Sequence, residues 1–267
     1  MILNTVFQTI SCKVEGISNQ GRSCMTSELA ITFCTDATWT GRAHCEKCHI
    51  RKLMLFSELP TSAFEEVLQP IDQYMYPPGS VLYEAHTHKQ FIYSIRRGMV
   101  KLVHIAPDGV SRIVRLLGPG TAIGLELLDG ADGYHHTAIA VNQVDLCKIP
   151  VSTIKQLEDG HKELCMHVSK LLQDQLDLAD QWIVALGTGT ARQRVAQLVL
   201  VLDEFFAEDN GAFILLNRED MAAMIGIAVE TVSRMIADFK RQKILYRFKE
   251  NYYQCNTEAL QDISRQG

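Results

Sequence analysis

The hexapeptide HCEKCH at residues 44–49 places His44, Cys45, Cys48 and His49 within six positions. Thiolates and imidazoles are the ligands of zinc and of iron–sulfur clusters, and two cysteines this close can also close a disulfide. Cys45-Glu-Lys-Cys48-His49 further satisfies C-x-x-C-H, the pattern of covalent c-type haem attachment. Adjacent His and Cys are awkward ligands for tetrahedral zinc. Haem attachment in bacteria usually requires export, for which the chain shows no signal, so a haem electron carrier is the outlying reading.

A second set of residues suits another chemistry. In NREDMAAMIGIAVETVSRMIADFKRQKILYRFKE (217–250), Asn217 can cap a short helix with Met221, Ala222 and Ile225 on its apolar side. Gly226 allows a turn, and a second helix follows from about Val229 to Gln242, with Val232, Met235, Ile236 and Phe239 facing inward. That is helix–turn–helix spacing. Glu230, Thr231, Ser233 and Arg234 then face outward at the start of the second helix. Arginine can give guanine two parallel hydrogen bonds, glutamate can accept from cytosine, and serine reaches base or phosphate. From Arg234 to Lys249 six basic residues, among them Lys240, Arg241 and Lys243, stand against Asp238 alone. Such a patch is a phosphate-facing footprint. An ordinary helical hairpin with a solvated basic face is the bland alternative. ILYRF-KEN-YYQC reads as a following hairpin, which makes a winged helix.

Other elements must position these sites. From Tyr76 to Pro150 glycine and proline recur between β-rich runs such as SVLYEA, QFIYSI, MVKLVHIA and SRIVRLL. Short strands at this spacing predict a sandwich or barrel. His161–Leu186 holds no Pro or Gly, and Leu164, Val168, Leu171, Gln175, Leu178, Trp182 and Ala185 follow heptad spacing. A second stripe, Leu172, Leu176, Ala179, Ile183 and Leu186, runs beside it. A helix with two stripes can face its own domain and a partner helix together; a single buried helix is the simpler reading. Asp174, Asp177 and Asp180 read as a solvated face. Gly187-Thr-Gly-Thr190 ends this helix, and Thr190 can cap the next, Ala191–Phe206.

The 267 residues suffice for two domains, and 47% hydrophobic content is ordinary for a globular chain. A net charge of −5 argues against non-specific coating of nucleic acid or anionic membrane. No apolar run approaches the ~20 residues of a membrane span, and the N-terminus lacks a signal peptide's basic region. A cytoplasmic location is expected, where structural disulfides are rare. Residues 1–43, without clear periodicity, are expected to be a poorly ordered tail, and Met25 within it is a candidate start. No phosphate loop, nucleophile elbow or HExxH occurs, so the chain does not read as an enzyme.

The glycine-punctuated strands, the long heptad helix and above all VETVSR (229–234) followed by MIADFKRQKIL resemble the Crp/Fnr superfamily of bacterial transcription regulators, over roughly 44–263. The resemblance implies an α+β architecture: a β-roll sensor domain (double-stranded β-helix, 44–160), a dimerisation helix (161–187) and a winged helix–turn–helix DNA-binding domain (188–267). It implies a homodimer on a two-fold symmetric double-stranded DNA site of the TTGAT…ATCAA type, base reading by Glu230, Ser233 and Arg234, and contact with RNA polymerase. Members that bind cAMP carry Arg-Ser and Gly-Glu in the phosphate loop. Here His135-His136 replace the first pair and Leu125 follows Gly124, so the cyclic phosphate loses its bidentate partner.

The Fnr branch senses oxygen with a [4Fe-4S] cluster on three N-terminal cysteines and one in the roll. Cys45 and Cys48 match the first two and Cys147 the last; the remaining ligand should fall at residue 54, which is Met. A thioether poorly replaces a thiolate against the charge of the iron core. Three readings follow: Cys34 supplies the missing ligand, His44 or His49 does, or the cluster is lost and Cys45/Cys48 form a thiol switch. An iron–sulfur cluster on Cys34, Cys45, Cys48 and Cys147 is the leading expectation. A regulator responding to a small-molecule effector is the alternative. Cys12, Cys24, Cys165 and Cys255 read as structural or incidental, and burial alone is a common fate for a cysteine such as Cys147.

Overall fold

Alternating β-branched and polar residues between Gly/Pro turns leave residues 72–150 little choice but short antiparallel strands. The computed structural model describes residues 24–26, 32–34, 37–45, 48, 55–60, 62–63, 71–88 and 90–265. β1 (Cys24–Thr26) and β2 (Thr32–Cys34) pair with Cys24 opposite Cys34. There follow β3 (Thr38–Arg42), β4 (Asp72–Tyr76), β5 (Val81–Tyr83), β6 (Phe91–Arg97) and β7 (Val100–Ile105). β8 (Ser111–Leu117), β9 (Ala122–Ile123), β10 (Thr137–Ala140) and β11 (Val144–Pro150) complete the roll. They form a five-stranded sheet, β3-β4-β11-β6-β9, and a four-stranded sheet, β5-β10-β7-β8. Ile92, Ile95 and Leu146 from the first and Leu82, Leu102 and Ala138 from the second share one core. The tight turn before β7 needs Gly98 at φ 89°, because a Cβ there would lie 2.2 Å from the Gln143 carbonyl oxygen.

The roll begins earlier than expected. β3 pairs with β4 along Thr38–Arg42, so part of the stretch read as a disordered tail is an edge strand. The stretch Ser62–Leu68, whose sequence makes a helix plausible, lies mostly outside the described residues.

After the roll come α1 (Val151–Gly160), α2 (Lys162–Gly187) and α3 (Ala191–Phe206). Thr190 caps α3 through a reciprocal capping box with Gln193. β12 (Phe213–Ile214), α4 (Arg218–Ile225), α5 (Val229–Arg241), β13 (Leu245–Lys249), β14 (Tyr252–Cys255) and α6 (Thr257–Arg265) build the last domain, with β12-β14-β13 as its sheet. Sequence reasoning did not foresee α6, although Asn256 accepts from the Ala259 N–H and Leu260 is fully buried.

α2 serves both cores. Leu164 and Val168 pack into the roll core, while Trp182 and Leu186 pack into the second core with Val199, Leu202, Met221 and Ile236. Its outer side leaves Leu176 50% and Ile183 70% exposed, seven residues apart on the second stripe. Leu186, expected on that outer stripe, turns inward. An α-helix drifts by ~20° per heptad against a 3.5-residue repeat, so the end of the stripe rotates toward α3.

Candidate functional site

α4 and α5 form the helix–turn–helix. Asn217 caps α4 by accepting from the Asp220 N–H at 2.6 Å, and Gly226 ends it in the left-handed region at φ 67°. Val232, Ile236 and Phe239, spaced by four and three, bury one side of α5. The opposite side presents Glu230, Ser233 and Arg234 to solvent. Thr231 differs from expectation: it is half-buried, and its hydroxyl accepts from Arg234 Nη2 at 3.3 Å. It holds the guanidinium rather than facing outward itself, an i,i+3 relation readable from the sequence.

The basic footprint is ordered by its neighbours. Lys240 donates to the Tyr253 hydroxyl at 2.9 Å and lies over the same ring, which fastens the end of α5 to the wing. Lys249 lies over Tyr252, 4.2 Å from the ring centre. Asp238 receives Arg192 of α3, Arg241 and Gln242 together. The Arg192 hydrogen bond is the main reason that the Asp238 carboxyl stays below its ordinary range. Arg241 is thus shared between an internal acid and the surface. Lys243 is exposed at φ 54°, at the turn into the wing.

The cysteines meet elsewhere. Cys147 lies in β11, directly opposite Gln73 of β4 and Ser94 of β6. Side chains opposite one another in a sheet share a face. That face is the floor of a cavity of about 430 Å³ whose other walls include Cys45, Cys48, Leu55 and Phe56. Residues about a hundred positions apart in the chain thus line one cavity. Burial pushes the Cys147 thiol up to about 12; Cys45 and Cys48 add to this, and Arg96 opposes it. Such a thiol stays protonated unless a metal offsets its charge.

Three cysteines border this cavity, the donor type that an iron–sulfur cluster requires. Among the described residues, no three His, Cys, Asp or Glu side chains gather closely enough for a single metal ion. His44 also lines the cavity. Cys34 ends β2, and its side chain lies outside the described residues, as do Met54 and His49.

The segment behind the cavity leads to α2. Leu55 and Phe56 line the cavity and join the core that Leu164 and Val168 enter. Ser57 Oγ and His167 Nε2 are hydrogen-bonded at 3.1 Å.

Tyr134 is buried beside the stretch that corresponds to the phosphate loop of the roll. Tyr134 stacks on Tyr83 with ring centres 3.7 Å apart, packs against Gly124 and donates to the Phe91 carbonyl at 2.6 Å. His135 is exposed. His136 is half-buried, edge-on to His104, and burial pulls its pKa down.

Two family models match this chain: a cyclic nucleotide-binding domain over residues 74–161 and a Crp-like helix–turn–helix domain over 193–263. The chain belongs to the Crp/Fnr superfamily of transcription regulators. Its α+β architecture of β-roll, long helix and C-terminal helix–turn–helix is that of the superfamily. The transcriptional activatory protein AadR of Rhodopseudomonas palustris is 24% identical over 75% of this chain and 85% of its own length. The activator FnrL of Cereibacter sphaeroides is 25% identical over 79% and 83%. The fumarate and nitrate reduction regulatory protein of Vibrio cholerae is 24% identical over 76% and 82%. Among solved structures, FixK2 of Bradyrhizobium japonicum shares the fold with a TM-score of 0.65 at 22% identity, over 74% of this chain and 98% of that one. This protein is therefore a transcription regulator with a DNA-binding helix–turn–helix. Among the described residues, no helix is long and apolar enough to cross a membrane.

Proposed function

We propose that this regulator is a cytoplasmic, non-enzymatic homodimer that senses oxygen or redox state through an iron–sulfur cluster, of the [4Fe-4S] type, and transmits that state to DNA. The observation that carries the reading is the convergence of Cys45, Cys48 and Cys147 on one cavity. Those three would hold the cluster, with Cys34 as the fourth ligand. A bound cluster would supply an oxygen-labile redox centre. The chain's own residues do the rest. Leu55 and Phe56 line the cavity and pack in the core with α2, and the Ser57–His167 hydrogen bond ties that segment to the helix. A change in the cavity wall therefore reaches the helix whose exposed side, with Leu176 and Ile183, would meet its copy in a second protomer.

On DNA, Glu230, Ser233 and Arg234 would read bases in a TTGAT…ATCAA-type site, with Thr231 orienting Arg234. Lys240, Arg241 and Lys243 would face phosphate. RNA polymerase would be the downstream partner. Tyr134 and Tyr83, stacked beside the Gly124 turn, weigh against an effector nucleotide in the roll.

Anaerobic purification of the full chain, with iron and sulfide counts and an absorption spectrum, tests the sensor half. Iron and sulfide in equal amounts, lost in the Cys147→Ala variant, are expected. Wild-type protein without iron under those conditions would overturn cluster sensing and leave the DNA-binding reading in place.

A further inference from the structure

The cysteine cavity holds one feature that the ligands do not account for. Arg96 follows Ser94 by two positions in β6, and both line the cavity whose floor includes Cys147. Its Nη1 donates to Gln73 Oε1 at 2.8 Å, which fixes the plane of the guanidinium. Its Nε is buried and, among the described residues, has no acceptor. A buried N–H of a charged group without an acceptor is costly, and arginine cannot relieve the cost by losing its proton. Among the described residues, the other basic side chains on the cavity wall, Arg42 and His44, are solvent-exposed. The cavity thus combines several thiols with one half-buried, permanent positive charge whose remaining donor lacks a counterpart.

We propose that Arg96 is the built-in counter-cation of this cavity, giving its Nε–H to a sulfur of the anionic iron–sulfur group and setting how readily that group is oxidised. This rests on the cluster reading above. Arg96 is a positioning and tuning residue, not a ligand. A fixed positive charge beside an anionic cluster favours the more reduced, more negative state. Removing it makes the cluster easier to oxidise and easier for dioxygen to destroy.

The test uses full-length protein loaded anaerobically, with Arg96→Gln and Arg96→Lys beside wild type. Two quantities are read: the midpoint potential in a spectroscopic redox titration, and the rate at which the cluster absorbance disappears in air-saturated buffer. Arg96→Gln is expected to have a more negative midpoint and to lose absorbance several-fold faster. Arg96→Lys, which keeps the charge, is expected to lie near wild type in both. Iron bound by Arg96→Lys but not by Arg96→Gln would also support the proposal, because charge alone separates those variants. Loss of iron in both, or a glutamine variant with wild-type midpoint and lifetime, would overturn it and leave the cluster reading standing. Wild-type protein that holds no iron would overturn both.

Discussion

At the scale of residues, recognition rests on few side chains and on what holds them. Arg234 is exposed and steadied by Thr231. Arg234→Ala is expected to cost about 1–3 kcal/mol of binding and to relax selection at one base pair. Competition binding against single-base variants of the site checks this; equal weakening on every sequence would assign Arg234 to phosphate instead. Thr231→Val should cost less, since it frees the guanidinium without removing it. The exposed side of α5 was legible in the sequence, because four–three spacing of Val232, Ile236 and Phe239 fixes which side is buried. The pairing of Lys240 with Tyr253 was not, because it depends on a neighbour that spacing does not place. Arg96 was equally hidden: its position near Cys147 follows from the register between β6 and β11, which no local pattern encodes.

At the scale of elements, α2 links the cavity to the DNA-binding domain. Its inner stripe was readable as heptads, and the half of the chain that each end would meet was not. The result is a helix with Leu164 and Val168 in one core, Trp182 and Leu186 in the other, and Leu176 and Ile183 exposed. Leu176→Asp removes apolar surface from an already exposed position, so the protomer should remain folded while self-association weakens. Sedimentation should show monomers and two-fold sites should bind more weakly; an unchanged dimer would place the interface elsewhere. His167→Ala breaks the hydrogen bond to Ser57 without touching a sulfur. It should leave iron content unchanged and narrow the difference in DNA affinity between anaerobic and air-exposed protein. An undiminished difference would send the coupling by another route.

At the scale of the whole molecule, the two halves are packed together rather than strung on a linker. Met99, Val103, Ile113 and Leu116 of the roll enter the core of the DNA-binding domain. Lys101 of β7 donates to Asp220 of α4 at 2.5 Å, with side chains only 16% and 13% exposed. Lys101→Ala removes the carboxylate's charged partner, leaving it the Asn217 Nδ2 donor at 3.2 Å, and should lower stability in denaturant unfolding by about 1.5–3 kcal/mol. A change within error would mean that solvent already satisfies Asp220. None of this interdomain contact was visible in the sequence, where Lys101 reads as one more polar residue of an alternating strand. The architecture itself was visible, because turn punctuation, heptads and the capped helix pair each declare an element locally. The central claim is that the state of the cysteine cavity sets DNA affinity. Its most direct test is the affinity of full-length protein for a TTGAT…ATCAA duplex, measured anaerobically and again after exposure to air. The account predicts a clear change in the wild type that disappears in Cys147→Ala. Equal affinity under both conditions, in a wild-type protein that still binds the site, would contradict it.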